Sequence, residues 1–206
     1  MGNTESYETL RPLAPVTGGF GLYPEMLAGA PTTLILDANM QWTKVPFIIY
    51  TTTGVPVMQC VGYDFWNKKL VMLDAEGNHL FRLKTKAFSS ARYIGQDAGE
   101  NELFRLCSPG PFTPGWDIQL SDVFSGREQT LFIDGSHTAK VADCVFNGSP
   151  IARVHRRARP GQDKPYGRGT YWLEIAPGVD MALLAAICIC SDEIAKAARR
   201  NSRNAS

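Results

Sequence analysis

The chain has 206 residues, which suits one domain, and 44% of them are hydrophobic, enough to bury a sizeable core. Its formal net charge of +1 argues against a dedicated nucleic-acid-binding protein, because such proteins usually carry a strong basic excess. Residues 1–30 lack the basic start and apolar core of a secretory signal, so we expect a cytoplasmic protein whose five cysteines are reduced and buried.

The first 31 residues are rich in glycine and proline and predict an irregular, flexible N-terminal arm. Its glycines do not indicate a phosphate-binding loop, because no strand precedes them and no Gly-Lys-Ser/Thr follows. The opening residues MGNTES fit the M-G-x-x-x-Ser/Thr pattern of N-myristoylation, which makes Gly2 a candidate lipidation site. A chance match to such a short pattern is the alternative.

From residue 32 onward, short apolar or alternating runs are separated by turn sequences such as Glu76-Gly77-Asn78 and Asn147-Gly148. This pattern predicts an antiparallel barrel or sandwich of many short strands. Segments 86–100 and 108–115 are expected to be longer loops. The predicted strands are 32–36, 47–51, 56–63, 69–74, 79–85, 102–107, 116–120, 129–134, 138–146, 150–156 and 170–175.

After Pro177-Gly178 the period changes, and Asp180 can cap a helix whose first turns, MALLAAICIC, are apolar on every face. Such a helix must be surrounded by protein or lipid, and this run is about half the ~20 residues needed to cross a bilayer. We therefore predict a mainly β protein, a closed antiparallel barrel of about a dozen strands around this central helix. The expected divisions are an arm (1–31), the barrel domain (32–198) and a polar tail (199–206).

Two stretches of the chain resemble a known family. The stretch YWLEIAPGVDMALLAAICICSDEI (171–194) is similar to the C-terminal signature of the LURP-one-related family: a strand, a Pro/Gly turn, Val-Asp, an apolar helix and a closing acidic pair. Upstream, FIIYTTTGVPVMQCVGY followed by KKLVMLDAEGNHLFRLK resembles that family's paired repeats of apolar strands, a small turn and an Asp-x-x-Gly-Asn turn. The resemblance covers residues 32–195.

That family is similar to the tubby C-terminal domain and the phospholipid scramblases, which implies an antiparallel barrel wrapped around a central hydrophobic helix. LURP-one-related proteins are linked to plant defence, tubby domains to phosphoinositide binding and scramblases to calcium-dependent lipid movement. No lipid-contact or calcium-ligand motif of these proteins is matched residue by residue, so the resemblance carries over no site residue. Only Asp180, and no D-x-D-x-D-G loop, precedes the helix.

Catalytic and metal-binding motifs do not emerge from the sequence. A relay of Ser136, His137 and Asp134 is formally possible, but neighbours in one turn rarely reach the geometry of a catalytic triad. No G-x-S-x-G elbow, H-E-x-x-H motif or metal-spaced Cys/His cluster is present. We therefore expect a protein that is not an enzyme and that uses no cofactor or metal.

The run RVHRRARPGQDKPYGR (153–168) contains six basic residues and one acid, a local net charge of +5. On a strand, Arg153, His155, Arg157 and Arg159 fall on one face, and we take these four as candidate lipid- or phosphate-binding residues. The alternative is the solvated outer face of an edge strand, where charge prevents aggregation.

Together, these features predict a non-catalytic module at the cytosolic membrane face that binds anionic phospholipid, such as a phosphoinositide, or an unidentified protein. A single myristoyl chain holds a protein on a membrane only marginally, and a basic patch would supply the second signal. The first alternative is a soluble protein-interaction scaffold that binds no lipid. The second is a scramblase-like lipid mover, which the short apolar helix disfavours.

Overall fold

The computed structural model describes residues 10–37, 47–64, 69–86, 91–107, 115–134, 141–155 and 170–204. These residues form twelve β-strands and one α-helix, α1 (Met181–Asn204). The strands are β1 (Thr32–Asp37), β2 (Phe47–Thr51), β3 (Pro56–Asp64), β4 (Lys69–Asp74), β5 (His79–Thr85), β6 (Ala91–Gln96), β7 (Glu102–Cys107), β8 (Trp116–Asp122), β9 (Arg127–Asp134), β10 (Val141–Phe146), β11 (Ser149–His155) and β12 (Thr170–Ile175).

The strands form one closed antiparallel barrel in which each strand pairs with its neighbours in sequence, and β1 pairs with β12 to close the circle. Side chains alternate between the lumen and the outer surface, as in β8, where Ile118 and Leu120 are buried and Gln119 between them is exposed. The predicted fold class, a mainly β closed antiparallel barrel of about a dozen strands around an apolar C-terminal helix, is confirmed.

The two ends of the barrel differ in how the strands are joined. At one end, which we call the turn pole, the hairpin connections are two to five residues long. At the other end, the exit pole, connections of four to fourteen residues join the strands, each wholly or partly outside the described residues. The connections at the turn pole are 52–55, 75–78, 97–101, 123–126 and 147–148.

Helix α1 fills the lumen, as predicted. Every side chain from Ala182 to Cys190 is buried, although these residues occupy all sides of the helix. The helix starts at the turn pole, where β12 ends, and the first partly exposed residue beyond its buried part is Ile194. It continues as helix to Asn204, so most of the predicted tail is helical. No helix of the described residues is long and apolar enough to cross a membrane.

Asp180 joins the start of α1 to the N-terminal arm. Its Oδ1 atom accepts hydrogen bonds from the backbone N–H groups of Ala182 (2.8 Å) and Leu183 (3.0 Å), which confirms the predicted helix cap. Its Oδ2 atom accepts from the N–H groups of Leu22 and Tyr23, each at 2.9 Å. The side chain is completely buried, and this desolvation raises the pKa of Asp180 to about 6, although the four N–H donors favour the carboxylate.

The described part of the N-terminal arm closes the turn pole and is not the flexible leader that its composition predicts. It is irregular apart from a short 3-10 turn (Pro24–Met26). Gly21 donates its N–H to Oδ1 of Asp122 at 2.8 Å, and a Cβ at this position would overlap the side chain of Asp180. Although the arm has little regular structure, four of its apolar side chains pack in the barrel core and hold it in place; they are Phe20, Leu22, Met26 and Ala28.

Strand β6 corrects the prediction that residues 86–100 form a loop. Gly95 weakens the strand pattern in the sequence because glycine lacks a side chain to pack. In the barrel, Gly95 pairs across the sheet with Phe104, whose ring lies over it and fills the space where a Cβ would be. Tyr93 is buried in the lumen next to this site. The ring of Phe104 on the neighbouring strand β7 thus explains why a glycine occurs within strand β6.

The contact between Gly95 and Phe104 gives a first prediction. Gly95→Ala should lower the free energy of unfolding by about 1–3 kcal/mol, because the added methyl group overlaps the ring. Denaturant titration measures this change, and Phe104→Leu in the same chain should recover part of it. Gly29→Ala is the matched control, since no atom lies within 4 Å of its Cβ position. Equal stability of the Gly95 and Gly29 variants would contradict this packing.

The pKa of Asp180 gives a second prediction, a fall in stability as the pH rises. Folding raises this pKa from 3.8 to about 6, so the folded chain favours the protonated form. Asp180 therefore stabilises the fold fully below pH 3.8 and loses this contribution, about 3 kcal/mol, as the pH rises through about 6. Denaturant titrations between pH 4 and about pH 6.5 measure the free energy of unfolding.

Asp180→Asn is the control for this measurement because the amide has the same shape but does not titrate. The difference in stability between wild type and variant should narrow as the pH rises, whereas a widening difference would contradict the prediction. Asp74 and Asp97 do not interfere in this range. Hydrogen bonds from the side chains of Asn78 and Asn101 lower the pKa values of these two carboxyl groups below 3.8, so their opposite effect lies at more acidic pH.

Candidate functional site at the exit pole

Strand β11 contains the first two candidate phosphate-binding residues, Arg153 and His155. Ala152 and Val154 face the lumen, so Arg153 and His155 face outward, as their spacing predicts. Solvent does not reach them, however, because Arg153 is only 5% exposed and His155 only 8%. The prediction of a shared outward face is right for these two residues, but the prediction that they are open to a ligand is wrong.

Two kinds of contact explain the burial of Arg153. Its guanidinium group binds both carboxylate oxygens of Asp143 on β10, with Nε–Oδ1 at 2.6 Å and Nη2–Oδ2 at 2.9 Å. Nη2 also donates to the backbone carbonyl of Arg11 at 2.8 Å. Because these bonds occupy the planar guanidinium in a bidentate geometry, Arg153 is a structural residue that ties the N-terminal arm to the barrel wall.

Residues 10–16 of the arm, which we call the strap, lie along the outer surface of β11. The N–H of Val16 donates to the carbonyl of Pro177 at 2.9 Å, and the N–H of Ala14 donates to that of Pro150 at 2.8 Å. From Val16 back to Arg11, the strap thus passes from the turn pole along β11 towards the exit pole. Its cover explains why β11 is buried on both faces.

His155 has an acidic neighbour as well. Its Nε2 atom lies 3.2 Å from Oε2 of Glu174 on β12. Across the sheet, Glu174 also pairs in register with Arg153. Two acids, Asp143 and Glu174, therefore flank the two basic residues of β11, and this part of the basic run is balanced within the barrel wall.

The other candidates, Arg157, Arg159 and Gly2, lie outside the described residues, as do Ser136 and His137 of the relay. The last residue of β11, His155, and the first residue of β12, Thr170, lie at the exit pole, and connection 156–169 joins them in the sequence. Its sequence contains five basic residues and one acid. The roles of Arg157 and Arg159 in phosphate binding and of Gly2 in lipidation stay predictions.

Charge is divided between the two poles of the barrel. At the exit pole, the sequence of residues 195–204 of α1 adds four basic residues and no acid to connection 156–169. At the turn pole, the five hairpin connections contain three acids and no lysine or arginine: Glu76, Asp97 and Glu100 are the acids. The chain is close to neutral as a whole, but in the sequence its basic residues concentrate in the segments that follow the exit-pole ends of β11 and of the buried part of α1.

Two hairpins of the turn pole share one construction. The carboxylate of Asp74 accepts hydrogen bonds from both the backbone N–H and the side-chain amide of Asn78, at 2.7 Å each. Asp97 and Asn101 make the same pair of bonds at 2.8 Å. Only the first of these turns stands out in the sequence as Asp-x-x-Gly-Asn. These acids are used to shape turns and are not arranged as a metal site.

Among the described residues, polar groups of the lumen at the exit pole surround one small cavity. Ser191 and Asp192 on α1 are buried, and the hydroxyl of Tyr171 on β12 donates to the carboxylate of Asp192. They border a cavity of about 10 Å³, room for about one water molecule, which Cys144 and Cys188 also line. Among the described residues, no group of three His, Cys, Asp or Glu side chains is placed to hold a metal ion.

Comparison with known proteins agrees with this architecture. The family model of the LURP-one-related proteins matches residues 32–192. This chain belongs to the LURP-one-related family. The X-ray structure of a protein from Arabidopsis thaliana is similar to it, with a TM-score of 0.63 and 17% sequence identity over 86% of this chain and 99% of that one. At this identity the likeness shows the fold alone. No curated protein matches this chain.

Sequence analysis missed the residues that bury the candidate patch of this LURP-one-related chain. Asp143 is a single acid in a predicted strand, and its meeting with Arg153 depends on the register of β10 and β11. Arg11 acts through its backbone carbonyl, which leaves no signal in residue type. The alternation of Arg153 with Ala152 and Val154 is visible in the sequence and predicts that Arg153 faces outward. It does not predict that the strap covers this face.

The contacts of Arg153 give a third prediction. Arg153→Met should lower the free energy of unfolding by about 2–4 kcal/mol, because it leaves the largely buried carboxylate of Asp143 without its partner. Thermal and denaturant unfolding measure the change. Replacing Asp143 with leucine in the same chain should recover much of the loss, since no uncompensated charge then remains.

Arg105→Met is the control for this experiment. Arg105 also forms a close ion pair, with Glu102 at 2.6 Å, but its side chain is 50% exposed. An exposed pair of this kind contributes less than about 1 kcal/mol. If Arg153→Met lowers the free energy of unfolding no more than Arg105→Met does, the contacts of Arg153 with the strap and Asp143 do not stabilise the fold.

Proposed function

We propose that this LURP-one-related chain is a non-catalytic binding module that docks its exit pole on anionic phospholipid, such as phosphoinositide, at the cytosolic face of a membrane. The observation that carries the proposal is the division of charge between the poles. Connection 156–169 and the end of helix α1, which belong to the exit pole, are rich in basic residues. The charged residues in the hairpin turns of the opposite pole are all acids.

This division of charge favours one orientation on a negative surface. A net charge of +1 provides little overall attraction, but a polarised molecule turns its basic end towards an anionic leaflet and its acidic end away. Basic residues close to such a leaflet contribute about 1 kcal/mol each. A cluster at one pole can therefore hold a nearly neutral protein that scattered charges could not hold.

The course of the strap supports the same orientation. From the turn pole the strap follows β11 towards the exit pole, and Leu10 is the first described residue. Gly2, the candidate lipidation site, precedes it by eight residues. A myristoyl group on Gly2 and the basic connection would then supply two weak membrane signals that act together.

Burial of Arg153 and His155 narrows the candidate contact to Arg157 and Arg159. Both belong to the connection that follows His155 at the end of β11. Arginine suits this role because its guanidinium binds phosphate oxygens in a bidentate geometry.

A fourth prediction tests this function with vesicles. The unmodified full-length chain should sediment with phosphatidylcholine vesicles that contain phosphatidylserine or a phosphoinositide, and not with phosphatidylcholine alone. Binding should weaken steeply as salt is added, because exposed charges are screened over about 8–10 Å near physiological ionic strength. Arg157→Gln with Arg159→Gln should weaken binding roughly 30-fold, since each arginine contributes about 1 kcal/mol near the leaflet.

Arg105→Gln with Arg127→Gln is the matched control because it removes the same charge from exposed strand residues outside connection 156–169. This pair should bind almost as the wild type does. Failure of the wild type to bind anionic vesicles at low salt would reject the membrane function. Capture of a protein partner by such a non-binding chain would instead favour the interaction scaffold.

A further inference from the structure

Helix α1 is longer than the barrel needs. The helix is buried as far as Glu193, and Ile194 is partly exposed. Residues 195–204 nevertheless remain helical, which adds about 15 Å of helix at 1.5 Å per residue beyond the buried part. We call these ten residues the extension. Filling the lumen does not require it, because the buried part already extends to the exit pole.

The sequence of the extension has one regular feature, a set of basic positions. Lys196, Arg199, Arg200 and Arg203 follow the spacing i, i+3, i+4 and i+7, which places all four positions on one face of a helix. Positions between them are alanine, asparagine and serine, and no acid occurs from residue 195 to the end of the chain.

This arrangement does not serve the stability of the helix. Like charges at spacings of three and four residues repel each other and weaken a helix, and the four positions contain several such pairs. The helix dipole favours cations within the last turn, at Arg200 and Arg203, and Lys196 has the i,i+4 spacing of an ion pair with Asp192, but neither feature accounts for Arg199. An anionic partner along this face would relieve the repulsion.

We propose that the basic face of the extension binds the phosphate groups of an anionic phospholipid surface. This inference rests on the proposed function and adds a second contact at the same pole. The four positions span about 11 Å along the helix and form a straight row that a plane of phosphates can contact together. A membrane fits the chain better than nucleic acid does, because the acidic turn pole and the net charge of +1 oppose broad contact with a polyanion.

The composition of the extension also determines how it binds. Helices that enter a membrane interface carry tryptophan, phenylalanine or leucine opposite their basic face. The extension has alanines such as Ala195 and Ala198 and no large apolar residue. Binding is therefore electrostatic and shallow, so it should disappear at high salt without leaving an inserted fraction.

The test compares two double variants of the full-length chain. Arg199→Gln with Arg200→Gln removes two charges from the extension and keeps helix-forming residues. Arg105→Gln with Arg127→Gln removes two charges from exposed residues elsewhere. On phosphatidylcholine vesicles containing phosphatidylserine at low salt, the first should bind roughly 30-fold more weakly than the wild type and the second within about twofold.

A third variant, Arg199→Lys with Arg200→Lys, should bind nearly as the wild type does, because it keeps the charge. If Arg199→Gln with Arg200→Gln loses helix content by circular dichroism, Lys196→Gln with Arg203→Gln replaces it in the same comparison.

The outcomes separate this inference from the function on which it rests. If the wild type binds anionic vesicles and both glutamine variants of the extension bind equally well, the extension is not the contact, while the membrane function stands. If the wild type binds no vesicles, the membrane function itself fails. Tighter binding to duplex DNA than to the vesicles, lost in the extension variants, would overturn the choice of a lipid surface.

Discussion

The first turns of α1 are apolar on every side, and most of the architecture follows from the need to surround them. A sheet that encloses a helix completely has no edge strands, so all twelve strands pair on both sides. Because neighbouring strands are consecutive in sequence, their connections alternate between two poles. The helix must enter at the pole where β12 ends and leave at the other, which determines where its basic extension emerges.

Asp180 allows the helix to start inside the protein. A helix that begins in an apolar lumen has unpaired N–H groups at its first turn. The carboxylate of Asp180 accepts hydrogen bonds from two of these groups and from two N–H groups of the arm. One buried carboxyl group thereby holds both the helix and the segment that closes the turn pole. Its burial opposes ionisation, so this junction is most stable when the group is protonated.

The basic run of β11 illustrates how tertiary contacts divide a sequence pattern. Arg153 and Arg157 are four residues apart, a spacing that places both on one face of an extended strand. The strap and Asp143 nevertheless bury Arg153 within the barrel wall. Connection 156–169 follows the exit-pole end of β11 in the sequence, and the extension of α1 follows the buried part of the helix at the same pole. The proposed function rests on the basic residues of these two segments and not on those of β11.

By itself, the sequence determined the β class, the central helix with its Asp180 cap and the resemblance to the LURP-one-related family. These depend on local patterns: alternation, an apolar run too short for a membrane, and residue order at a helix start. The tertiary structure alone decided that Gly95 belongs to a strand, that the arm is part of the core, and that Arg153 is buried. Each of these depends on a contact with another segment, through Phe104, Phe146 or Asp143, and that contact follows from the strand register or from the docking of the arm.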